Sequence, residues 1–124
     1  MARVIGVGGV FFKSEDPDHL YQWYVAHLGV IKNEGPGVSF MTADQPQEGY
    51  LVWGAFSSET QYFDPATKQY MFNLIVDDLD GALTQVRAGG AEIVGDIETC
   101  ENGRFGWFMD PEGNKVELWE PRLA

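Results

Sequence analysis

The sequence predicts an α+β domain: two strand-helix-strand-strand-strand modules whose strands form one curled mixed sheet with a concave ligand cup. Three observations carry this. Two amphipathic helix patterns with capping residues lie one in each half of the chain. Each is preceded by one run and followed by three runs of β-branched and aromatic residues. A polar stretch with Asp64-Pro65 divides the halves, giving module 1 over about 1–60, a linker over about 57–69 and module 2 over about 70–124 of a single domain.

Val4 to Phe12 is too short and too rich in glycine for a helix and reads as the first strand. Asp16-Pro17 offers an N-cap followed by proline at the first helical position, and Leu20, Trp23, Tyr24, His27 and Leu28 recur at helical spacing until Gly29 ends the pattern. Val30 to Asn33, Val38 to Thr42 and Tyr50 to Phe56 are the remaining strands of the first half. In the second half Tyr70 to Val76 is a strand. Asp78 precedes a helix with Leu79, Ala82, Leu83 and Val86 on one face, and Gly89-Gly90 closes it. Glu92 to Val94, Arg104 to Met109 and Lys115 to Glu120 complete the module, the last two joined by the turn from Asp110 to Asn114. A helix on one side of each sheet unit leaves the other side apolar and concave, which is where a small ligand would sit.

Composition narrows the function. The chain has 124 residues, 8 basic against 19 acidic, for a net charge of -11. A phosphate backbone or an anionic membrane surface would be repelled, so nucleic acid and membrane are not expected partners. Charged or polar residues interrupt every apolar run before it reaches the ~20 residues of a membrane span. One cysteine, Cys100, makes no intrachain disulfide, and the first residues carry no small-residue cleavage signal, so the expected compartment is the cytoplasm.

The run from Gly103 to Pro121 (GRFGWFMDPEGNKVELWEP), the helix ending Trp23-Tyr24-Val25-Ala26-His27-Leu28-Gly29, and the junction Val76-Asp77-Asp78-Leu79-Asp80 together resemble the vicinal oxygen chelate superfamily. That group includes glyoxalase I, bleomycin-resistance proteins and extradiol dioxygenases. The resemblance implies the same two-module fold and a homodimer in which modules of two chains complete each cup. In metal-dependent members it also implies a divalent ion held by His and Glu on the first and fourth strands of each module. Glu117 matches one such position. The others fall at Gly8 or Gly9, at Met71 with Asn73 next on the same face, and at Leu51 or Trp53, none of which offers a good donor for a transition metal. Both histidines, His19 and His27, lie on the first helix. No cofactor is therefore assigned, a hard divalent ion on Glu117, Asn73 and water being the remaining metal option.

Alternation along the last strand puts Lys115, Glu117 and Trp119 on one face and Val116 and Leu118 on the other, under a helix. Glu117 is thus the candidate catalytic or counter-charge residue of the cup, with Trp53, Met71, Asn73, Arg104 and Trp119 as candidate ligand-binding residues. Phe72 and Phe108 are expected in the core. Arg104 would meet an anionic group of the ligand. The leading expectation is a glyoxalase/bleomycin-resistance-like protein that binds a small organic molecule, cationic or aromatic, without a complete transition-metal site. The alternatives are a glyoxalase-like lyase or isomerase using Glu117 as ligand or base, and a structural or partner-binding module.

Overall fold

The computed structural model describes residues 1–122; residues 123–124 of the expected second module lie outside the described residues. The elements are α1 (Pro17–Leu28), β1 (Phe72–Ile75), α2 (Leu79–Ala88), β2 (Glu92–Cys100), β3 (Gly103–Met109) and β4 (Lys115–Pro121), with a 3-10 turn at Thr42–Asp44. The strands form one mixed sheet in the order β1-β4-β3-β2. β1 runs parallel to β4, and the other two pairings are antiparallel.

Local chemistry explains both helices. The Asp16 carboxylate accepts the His19 N–H at 3.2 Å, Pro17 occupies the first helical turn, and Gly29 takes the left-handed conformation (φ 65°) that ends α1. Asp78 caps α2 by accepting the Gly81 N–H at 3.0 Å. The two helices are tied to each other where Trp23 Nε1 donates to the Gly89 carbonyl at 3.0 Å and Gln85 Nε2 to the His27 carbonyl at 2.9 Å.

Both helices cover the same face of the sheet. Phe108, Val116 and Leu118 are completely buried there with Leu79 and Val86, and Phe72 and Leu74 pack against them. Each such side chain contributes about 1.5–3 kcal/mol through removal from water. Gly106 lies in this layer because α2 comes so near that a Cβ would stand 2.9 Å from the Leu83 side chain. β2 is longer than the Glu92 to Val94 expected from the sequence. Gly95 at φ 69° allows the register to shift between Val94 and Glu98, after which pairing with β3 resumes as far as Cys100.

The sheet of the second module alone is formed. The expected strands at Val4 to Phe12, Val30 to Asn33, Val38 to Thr42 and Tyr50 to Phe56 are extended or irregular, and an isolated bridge between Lys32 and Val38 is their one strand-like pairing. The physical reason is visible in their surroundings. Ile5, Phe11 and Trp53 are 89%, 96% and 92% exposed; Phe12 rests on Phe72 and Tyr50 on Trp119, but no strand partner within one chain sets the register of these segments.

The turn after β3 anchors α1. Glu112 accepts the Ser14 hydroxyl at 2.7 Å and the Glu15 and Asp16 N–H groups at 3.0 and 3.2 Å. Burial would raise the Glu112 pKa, but these donors and the Lys68 charge outweigh it and hold the carboxyl below its ordinary value. A lowered folded-state pKa gives stability that is present above the unfolded value and lost as pH falls through the folded one. Between about pH 5 and pH 3, wild-type thermal stability should therefore fall more steeply than that of Glu112→Gln, the two converging in acid. Parallel melting curves over that range would refute the clamp.

Candidate functional site

The site lies on the face away from the helices. Pairing sets Asn73 of β1, Glu117 of β4 and Trp107 of β3 side by side in one cross-strand row, and Ile75, Trp119 and Phe105 in the next. Since side chains alternate along each strand, all six share one face. Phe105 and Trp119 stack with rings parallel to within 1° and centroids 6.0 Å apart; the Trp119 indole N–H donates to the Asn102 carbonyl at 2.8 Å, and Tyr50 meets the Trp119 ring edge-on.

Glu117 is 9% exposed and fully engaged. Its Oε1 accepts Asn73 Nδ2 at 2.7 Å, and its Oε2 accepts both Trp107 Nε1 at 2.9 Å and the Tyr62 hydroxyl at 2.5 Å. Three neutral donors thus solvate a buried carboxylate, which is what makes its burial tolerable. Lys115, also buried, donates to the Tyr62 carbonyl at 2.6 Å and places its ammonium 5.2 Å from the Tyr62 ring centre and 5.9 Å from that of Trp107. Burial pushes the Lys115 ammonium below its ordinary pKa against the opposing pull of Glu117 and Asp64. Burial and the bond to Glu117 push the Tyr62 phenol up, so it stays a donor across the physiological range.

Of the residues expected in the cup, Glu117, Asn73 and Trp119 stand on this face, and Met71 precedes β1 and is half-buried. Trp53 does not join them: its segment is unpaired and its side chain points to solvent. Arg104 lies on the opposite face. It forms a two-pronged pair with Asp80 at 3.0 and 3.1 Å and reaches Glu120 at 3.3 Å, while Glu120 accepts the Leu79 N–H at 3.0 Å. It therefore fastens the start of α2 to the sheet, on the face away from Glu117. Alternation already implied this, because Arg104, Gly106 and Phe108 share a parity. Tyr62 was missed, and so were the roles of Trp107 and Lys115. For Trp107 and Lys115 the parity of β3 and β4 pointed to this face. For Tyr62 the hint was an aromatic pair, Tyr62-Phe63, within an otherwise polar linker.

The donor set does not suit a transition metal. Among the described residues no three His, Cys, Asp or Glu side chains come together. His19 and His27 are on α1, across the sheet from Glu117, and the Glu117 oxygens are taken up by three protein donors.

A mixed four-stranded sheet with both helices on one face and a carboxylate on the other defines a glyoxalase-like α+β domain. Residues 9–119 match the family model described as the glyoxalase-like domain, and the chain belongs to that family, within the vicinal oxygen chelate superfamily. No curated protein matches it. Among solved structures, TnmS3, an antibiotic-binding protein from Streptomyces sp. CB03234, is 29% identical over 41% of each chain with a TM-score of 0.37. A member of the glyoxalase/bleomycin resistance protein/dioxygenase superfamily from Sphaerobacter thermophilus is 34% identical over 40% of each chain, with a TM-score of 0.36. The chain thus spans about two-fifths of the length of these two relatives. Over nearly the whole chain the hypothetical protein SA1046 from S. aureus shares the fold, with a TM-score of 0.57 at 16% identity, covering 92% of this chain and 94% of that one. No helix among the described residues is long and apolar enough to cross a membrane.

Proposed function

We propose that this protein binds a small organic molecule on the Glu117 face, using the carboxylate as a fixed hydrogen-bond acceptor within an aromatic enclosure. The observation that carries the reading is the buried Glu117, held by Trp107 and Asn73 from the neighbouring strands and by the Tyr62 hydroxyl from the linker, with the Trp119 ring next to it on the same face. Both of its oxygens accept from neutral donors, which suits holding a ligand more than abstracting a proton. Calorimetric titration with a panel of planar aromatic compounds should find a one-to-one ligand. Glu117→Gln should weaken that ligand about tenfold, the loss of roughly one good hydrogen bond. Equal affinity in the variant would remove Glu117 from the site and end this reading.

The same reading includes a second copy of the chain. The extended segments 4–12 and 50–56 carry apolar side chains into solvent, while β1 and β2 each leave one edge unpaired. Unpaired strands and open edges on one chain are complementary to those of another, and pairing them buries both. Light scattering on the eluting protein should give twice the 13.8 kDa chain mass. A mass of one chain at all concentrations would overturn the assembly.

A further inference from the structure

We infer that the ligand class of this site is a neutral hydroxyaryl molecule, and that Tyr62 holds its place in the free protein. The inference rests on the proposed binding role of the Glu117 face and goes beyond it by naming what binds. The three donors to Glu117 are of two kinds. Asn73 and Trp107 belong to strands paired residue for residue with β4, so the sheet itself places them. Tyr62 comes from a turn segment 55 residues away in sequence and is 40% exposed, whereas Glu117 is 9% exposed. Withdrawing Tyr62 leaves the carboxylate anchored by two donors and frees a lone pair on Oε2, aimed at the space the phenol had filled.

That space has the shape and charge of a phenol site. Phe56 stacks on the Tyr62 ring at 5.7 Å with the planes 25° apart, and Trp107 meets it edge-on at 6.3 Å and 85°. The Lys115 ammonium, 5.2 Å from the ring centre, favours an electron-rich ring and repels a cationic one. A neutral O–H group satisfies Glu117 without adding charge beside Lys115. A bare arene of the same outline would leave the freed oxygen without its third donor, and a site built to accept an O–H discriminates against the analogue that lacks it.

The test uses three probes that share the naphthalene ring system on the intact protein: 2-naphthol, naphthalene and 2-naphthyltrimethylammonium, titrated by calorimetry. The expected result is that 2-naphthol binds at least about tenfold more tightly than either of the others, the equivalent of one hydrogen bond. Tyr62→Phe, which keeps the ring and removes the competing hydroxyl, should tighten 2-naphthol severalfold, and Tyr62→Ala should tighten it further. Glu117→Gln should erase the preference for the hydroxyl. Tighter binding of the ammonium probe would overturn the hydroxyaryl assignment and leave the small-molecule reading standing. Unchanged 2-naphthol affinity in both Tyr62 variants would overturn the role of Tyr62 as stand-in. Absence of binding by any probe to the wild type and to Tyr62→Ala would overturn the hydroxyaryl assignment, while a different aromatic ligand sensitive to Glu117→Gln would still uphold the wider reading.

Discussion

Phe108→Ala is expected to destabilise the protein by about 3–5 kcal/mol, the range for removing a fully buried aromatic ring from a core that relaxes only in part. Phe108 is 0% exposed and stands where the two helices meet the sheet. Its ring stacks on Trp23 at 5.8 Å, touches Tyr24 at 6.4 Å, and belongs to the same buried cluster as Leu79, Val86, Val116 and Leu118. The loss thus strikes both α1 and α2. For a small domain with a total stability of about 5–15 kcal/mol, a change of this size takes a large part of the whole. Urea denaturation should show a much lower midpoint with an unchanged slope. A loss under about 1 kcal/mol would mean that Phe108 is not the packing centre described above.

Glu117→Ala is the second large effect, about 2–4 kcal/mol, and its cause is polar. The substitution leaves the Trp107 indole, the Asn73 amide and the Tyr62 hydroxyl without their acceptor, and each buried unpaired donor costs about 1–3 kcal/mol. The three do not count equally. Tyr62 and Asn73 are exposed enough to turn to water, but Trp107 is 7% exposed and its N–H points into the protein. Tyr62→Phe alone should cost about 1 kcal/mol. The double variant should lose less than the sum of the two single losses, because the Tyr62 to Glu117 bond is then counted once. Equal losses for Glu117→Ala and Tyr62→Phe would show that the bonds from Trp107 and Asn73 contribute nothing. The same cycle separates the structural role of Glu117 from its proposed role in binding, since Tyr62→Phe weakens the fold slightly yet should strengthen the site.

How much of this was legible beforehand follows from the range of each interaction. The caps Asp16 and Asp78, the stop at Gly29 and the helical spacing of Leu20, Trp23 and Tyr24 are contacts within a few residues, and α1 and α2 fall where those marks stand. The alternation in Lys115 to Glu120 is equally local, and it separated Glu117 from Val116 and Leu118 onto opposite faces. The same rule, applied to Arg104 from the position of Phe108, would have placed that guanidinium against α2 and out of the cup. The first-module strands carry equally good local marks, but a strand exists only when another strand accepts its hydrogen bonds. Within one chain nothing does so for Val4 to Phe12 or Tyr50 to Phe56.

The sequence by itself determined the two helices, the places of the second-half strands apart from the full length of β2, the parity that sends Glu117 away from the helices, and the net acidity, because each depends on neighbouring residues or on composition alone. Only the tertiary structure decided that Tyr62 reaches Glu117 across 55 residues, that Lys115 lies over its ring, that Arg104 clamps a helix and that Trp53 faces solvent. Those outcomes depend on where the chain returns after a turn and on which edges find partners, and no periodicity in the sequence encodes either.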